Sequence, residues 1–139
     1  PNFTSLIALS FYVPAVFGLR FIPAVLLSFF ITDLIIGFHN LTFFTWGSVV
    51  IIGLISNYFK NSIYKRISGA LIGSVMFFIL TNFGVWFLGL NGYLYNLEGL
   101  ILCYTLAIPF YGNTLIATIL YSLIIELAHK IYKQNENSE

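Results

Sequence analysis

The chain has 139 residues, of which 59% are hydrophobic and 8% charged, with a mean hydropathy of +0.93. Soluble domains carry about 25% charged residues, so six Lys and Arg with five Asp and Glu cannot clothe a water-facing surface. A net charge of +1 excludes a nucleic-acid-binding field, and the single cysteine, Cys103, excludes an internal disulfide. What remains is an all-α, polytopic membrane helix bundle, a single transmembrane domain over 1–139.

The charges divide the chain. Residues 3–19 carry none; Arg20 follows, and residues 21–38 carry only Asp33. Residues 39–59 are uncharged up to the Lys60, Lys65 and Arg66 cluster, and residues 67–97 are uncharged again. Uncharged runs of this length predict spans at about 3–18, 21–38, 42–59 and 67–89. Pro109 and Gly112 punctuate the last apolar stretch, which predicts a short half-helix at 97–108 and a span at 113–133, before a polar tail at 134–139. That makes five visible spans plus the half-helix. The chain opens on Pro1-Asn2-Phe3, which leads to the expectation of a preceding sixth span.

Cations set the expected orientation. With the Lys60 turn in the cytoplasm and the half-helix kept on the outer side, Arg20, Lys130 and Lys133 also fall inside. The C-terminus is therefore expected in the cytoplasm.

In an oily chain the polar residues that remain are the informative ones. On this topology they gather in the outer half: Thr4, Asp33, His39, Thr45, Asn82, Trp86 and Asn113 among them. Asp33 lies 13 residues beyond Arg20, roughly 20 Å up the helix. A carboxylate there needs a ligand, a proton or a polar neighbour. Asn82 and Trp86 are spaced i, i+4, offering an amide beside an indole to a planar heterocycle. The same pair reads equally as helix–helix glue and an interfacial anchor. At Pro109–Thr114 a helix break would let Asn113 or Thr114 cap a new helix and point its N–H groups at a ligand. An ordinary kink is the other reading.

Glu98 after Asn96 reads as a helix-start acid, and Glu126 as the i, i+4 partner of Lys130. His39 and His129 fall at opposite interfaces, so no metal site and no cofactor is expected. Gly69 with Gly73, and Ala70 with Ser74, form small-xxx-small pairs that allow close packing, internal or with a partner. No nucleophile or acid–base pair stands at catalytic spacing, so an enzyme is not expected.

Several segments together resemble a family of small bacterial membrane proteins of unknown function. They are Pro1-Asn2-Phe3-Thr4, Asp33-Leu34 with Gly37-Phe38-His39, Thr81-Asn82-Phe83-Gly84-Val85-Trp86, Cys103-Tyr104, Pro109-Phe110 and Asn113-Thr114. That family in turn looks like the substrate-binding (S) components of energy-coupling-factor vitamin transporters, six-helix proteins that capture a micronutrient near the outer face. The resemblance implies location in a bacterial inner membrane, a coupling transmembrane subunit and ATPases as partners, and Asp33, Asn82, Trp86 and Asn113 as ligand-binding residues. The function expected is capture of a small vitamin-like or heteroaromatic nutrient. The alternative is a structural or accessory subunit of a larger membrane complex with no ligand of its own.

Overall fold

A computed structural model describes residues 4–137; Pro1, Asn2, Phe3, Ser138 and Glu139 lie outside the described residues. Five α-helices follow one another: α1 (Leu6–Phe17), α2 (Ile22–Ile36), α3 (Thr42–Ser56), α4 (Ile63–Phe87) and α5 (Leu97–Glu136). Short 3-10 turns at Leu19–Phe21 and Leu90–Gly92 link α1 to α2 and α4 to α5. Helix α1 packs on all four of the others. Helix α3 packs on α1, α2 and α4, and α5 packs on α4 and α1.

The distribution of side chains is that of a protein dissolved in lipid. Leu27, Ile35, Ile36, Phe43, Ile108, Ile116 and Leu127 are all more than half exposed. In water such a surface would aggregate, whereas lipid tails are as apolar as leucine. The interior holds the small and hydroxylated residues instead: Ser10, Ser48, Ser56, Ala70, Ser74, Ala117, Thr118 and Ser122 are buried. Close packing here replaces a hydrophobic driving force, which hydrocarbon does not supply between helices. Gly69 faces the Phe11 ring of α1, and Gly73 faces Ile52 of α3. Both small-xxx-small pairs are thus used inside the chain.

The segment Leu19–Ile36 and the helices α4 and α5 are long and apolar enough to cross a membrane. The protein is a membrane protein. Helix α1, with 12 residues, is only about 18 Å long against a hydrocarbon layer of about 30 Å. Its middle is enclosed by the other four helices, with Ala8, Phe11 and Tyr12 buried, while Phe17 at its end is exposed.

One expectation is overturned. The half-helix at 97–108 and the separate span at 113–133 are a single helix of 40 residues with Pro109 inside it. Pro109 lacks the N–H that would reach the Thr105 carbonyl, so one bond of the ladder is missing. A full break would strand several backbone groups in hydrocarbon, each at a cost of several kcal/mol. The helix therefore continues, and neither Asn113 nor Thr114 caps anything. The true start is at Asn96, whose side chain accepts from Gly99 N at 2.8 Å, with Glu98 in the first turn.

The continuous helix keeps the cations together. Arg66, near the start of α4, bonds Glu126 on the antiparallel α5, with Lys130 and Lys133 just beyond. Ile22 at the start of α2 lies beside Gly53 near the end of α3, which puts Arg20 at the same end. All six Lys and Arg thus lie toward one end of the bundle, the Lys60 end.

Candidate functional site

The half of the bundle away from Lys60 contains an open cavity of about 420 Å³. The first turns of α1 and α3, the middle of α2, the last half of α4 and the middle of α5 enclose it. Phe29, Phe77, Phe78 and Phe110 supply apolar wall, and Thr4, Thr45, Thr81, Asn82, Tyr111 and Thr114 supply polar atoms. Phe78 stands at the centre of an aromatic wall, with its ring centroid 4.9 Å from that of Tyr111 and 5.8 Å from that of Tyr104. Ser74 Oγ and Tyr111 Oη are 3.1 Å apart and tie α4 to α5 one turn from Phe78.

The polar atoms of this wall have a common orientation of function. Thr45 Oγ1 donates to Leu41 O at 3.1 Å, and Thr81 Oγ1 donates to Phe77 O at 2.7 Å. Asn82 Nδ2 donates to Phe78 O at 2.8 Å. Each helix thus absorbs hydroxyl or amide hydrogens from its own side chains. What these bonds leave for the cavity is the threonine lone pairs, Asn82 Oδ1 and the second Asn82 N–H.

Of the four residues singled out from the sequence, Asn82 lines the cavity and the other three do not. Asp33 is buried near the end of α2, where Trp46 Nε1 donates to its Oδ2 at 2.9 Å. His39 Nε2 lies 3.9 Å from its Oδ1. The rings of Phe30 and Phe38 cover this pair, 6.0 and 6.5 Å from the indole. The carboxylate therefore holds α2 to α3. Trp46→Phe removes the donor while keeping an aromatic ring, and is expected to cost about 1.5–3 kcal/mol, the usual value for a bond to a charged group. Thermal unfolding in detergent would measure it.

Trp86 Nε1 donates to Leu94 O at 2.9 Å. It braces the turn after α4, where Asn91, at φ 63, and Gly89 and Gly92 adopt left-handed backbone. Asn113 is exposed on α5, between the cavity-lining Tyr111 and Thr114. Sequence spacing placed Asn82 and Trp86 on one stretch of helix; the fold gives one to the cavity and the other to the turn.

The residues that reasoning from sequence did not single out are the four phenylalanines and the Tyr111 hydroxyl. Thr81, Tyr111 and Thr114 lie within the segments already noted. The phenylalanines are indistinguishable by sequence from the chain's other 11, 15 in all.

At the opposite end, Glu126 is not the partner of Lys130. Arg66 grips it with Nε to Oε1 at 2.6 Å and Nη2 to Oε2 at 2.7 Å, while Tyr12 Oη donates to Oε1 at 3.0 Å. Arg66 Nη1 also donates to Lys60 O at 2.9 Å. A planar guanidinium can take both carboxylate oxygens at once, which a lysine ammonium cannot. This network joins α1, α4 and α5.

No curated protein and no solved structure matches the chain. A family model described as a family of unknown function (DUF6580) matches residues 1–138, practically the whole sequence. The chain belongs to that family.

Proposed function

We propose that the protein is the substrate-capture component of a nutrient uptake system, taking a small vitamin-like or heteroaromatic compound into the cavity at Asn82. The observation that carries this reading is the cavity itself. Its volume of about 420 Å³ falls in the range of small-molecule sites, and its mostly apolar, aromatic lining with a few polar atoms is their usual composition. The threonine lone pairs and the Asn82 amide, with an acceptor oxygen and one remaining N–H, favour a ligand that sets N–H or O–H donors beside an acceptor, with a flat ring to lie against Phe78.

On this proposal the cation-rich end faces the cytoplasm of a bacterial cell and the cavity opens toward the outer leaflet. If the chain works as S components of energy-coupling-factor transporters do, as its sequence resemblance implies, its partners would be a coupling transmembrane subunit and ATPases that drive release inward. The chain itself catalyses no reaction.

A second reading, an accessory subunit without a ligand, is favoured by Asp33, Trp46 and Trp86, whose polar groups are satisfied inside the fold. Mass spectrometry of small molecules retained through purification separates the two. The expected result is one donor-bearing aromatic compound, lost in Asn82→Ala and in Ala107→Phe. Losing the Asn82 acceptor is expected to weaken binding about tenfold, the value of one hydrogen bond. Absence of any retained compound, together with unchanged uptake of candidate nutrients in both variants, would assign the protein to the second reading.

A further inference from the structure

Two other concavities lie near the Lys60 end, and one side chain belongs to both. The first, about 250 Å³, lies between the start of α4 and the end of α5 and is lined by Arg66, His129, Lys130 and Lys133. The second, about 500 Å³, is an apolar groove between α1 and α5 lined by Val13, Val16, Ala128 and Tyr132, and again His129. Among the described residues, Glu126 is the acid in the cationic pocket, and both its oxygens are held by Arg66. Lys130 and Lys133 therefore have no carboxylate within ion-pair distance among the described residues.

Helix α5 continues for ten residues past Glu126, about 15 Å along its axis. With this cation-rich end at a membrane surface, Lys130 and Lys133 would reach the headgroup zone while Val13, Val16 and Ala128 stay at acyl-chain depth. A soluble anion would satisfy the lysines and leave the groove bare. A further apolar helix would fill the groove and leave the lysines unmatched. A molecule with a phosphate at one end and a hydrocarbon chain at the other matches both, with His129 at the junction.

We infer that the Lys60 end carries a binding site for an anionic phospholipid, its headgroup phosphate against Lys130, Lys133 and His129 and one acyl chain in the α1–α5 groove. The site is independent of the Asn82 cavity and of its ligand.

The test compares lipid retained by the purified full chain after exposure to mixed micelles containing phosphatidylglycerol and phosphatidylcholine. Two interfacial cations should give roughly a 30-fold preference for phosphatidylglycerol. Lys130→Gln/Lys133→Gln is expected to abolish the preference. Lys65→Gln removes a cation at the same end but outside the pocket, and should retain it. Ala128→Phe fills the groove without touching a charge, and should also lose the lipid. Equal loss in Lys65→Gln would reduce the effect to a diffuse positive field and overturn the site. Full displacement by inorganic phosphate, or undiminished retention in Ala128→Phe, would mean that the pocket takes a soluble anion and that the groove plays no part. Efficient disulfide dimerisation of Ala128→Cys would give the groove to a second copy and would likewise overturn the inference.

Discussion

Glu126→Ala is expected to destabilise the bundle by roughly 3–5 kcal/mol, the cost of breaking a buried ion pair from one side. The carboxylate takes three hydrogen bonds, two from Arg66 and one from Tyr12. Removing it strands a guanidinium and a phenol hydroxyl between three packed helices. The pair's side chains are only 14% and 8% exposed, so water screens the loss poorly. Arg66→Met is expected to be costly for the mirror reason, leaving a carboxylate with only Tyr12. The double variant Arg66→Met/Glu126→Met is expected to lose much less than either single change, because no unpaired charge is left behind. Unfolding of the detergent-solubilised protein measures all three. Additive losses in the double variant would show that the two side chains do not act as a pair.

Gly69→Leu is expected to cost about 3 kcal/mol through overpacking. A Cβ at Gly69 would lie 2.5 Å from Phe11 Cε2 and 2.7 Å from Phe59 Cβ. Phe11 is fully buried and cannot swing aside, so α1 and α4 would have to separate. Pairing the change with Phe11→Ala should recover part of the loss, since the smaller side chain vacates the space the leucine needs. Gly112→Ala is the control: nothing stands within 4 Å of its would-be Cβ, and the better helix former is expected to gain up to about 1 kcal/mol. The same unfolding assay reads both positions. A tolerated Gly69→Leu would mean that α1 does not rest on α4 at this point.

These two effects mark where sequence reasoning reaches and where it stops. Helices expected at 21–38 and 42–59 are present as Ile22–Ile36 and Thr42–Ser56, because uncharged length is a property of the chain taken one residue after another, although Thr42–Ser56 is shorter than a membrane crossing needs. The glycine pairs of α4 were legible as packing surfaces, though not what they pack on. Pro109 and Gly112 misled, because their helix-breaking strength belongs to water, where freed carbonyls find new partners. In hydrocarbon they find none, and the helix runs through. For Asp33 the burial was legible, but its satisfaction by Trp46, 13 residues away on α3, was not. Asn82 reached the cavity and Trp86, one turn later, did not, since the turn after α4 offered the indole the Leu94 carbonyl.

The amino-acid order alone determined the solvent, the helical class and the gathering of cations toward one end, because each follows from composition and from the intervals between charges. The tertiary structure alone decided which groups meet. Glu126 lies four residues from Lys130 yet bonds Arg66, 60 positions away in the chain, because antiparallel packing of α4 and α5 brings a flat two-pronged donor to the buried face while Lys130 is exposed. Likewise the cavity wall is assembled from five helices, and no interval along a single helix encodes where the other four will stand.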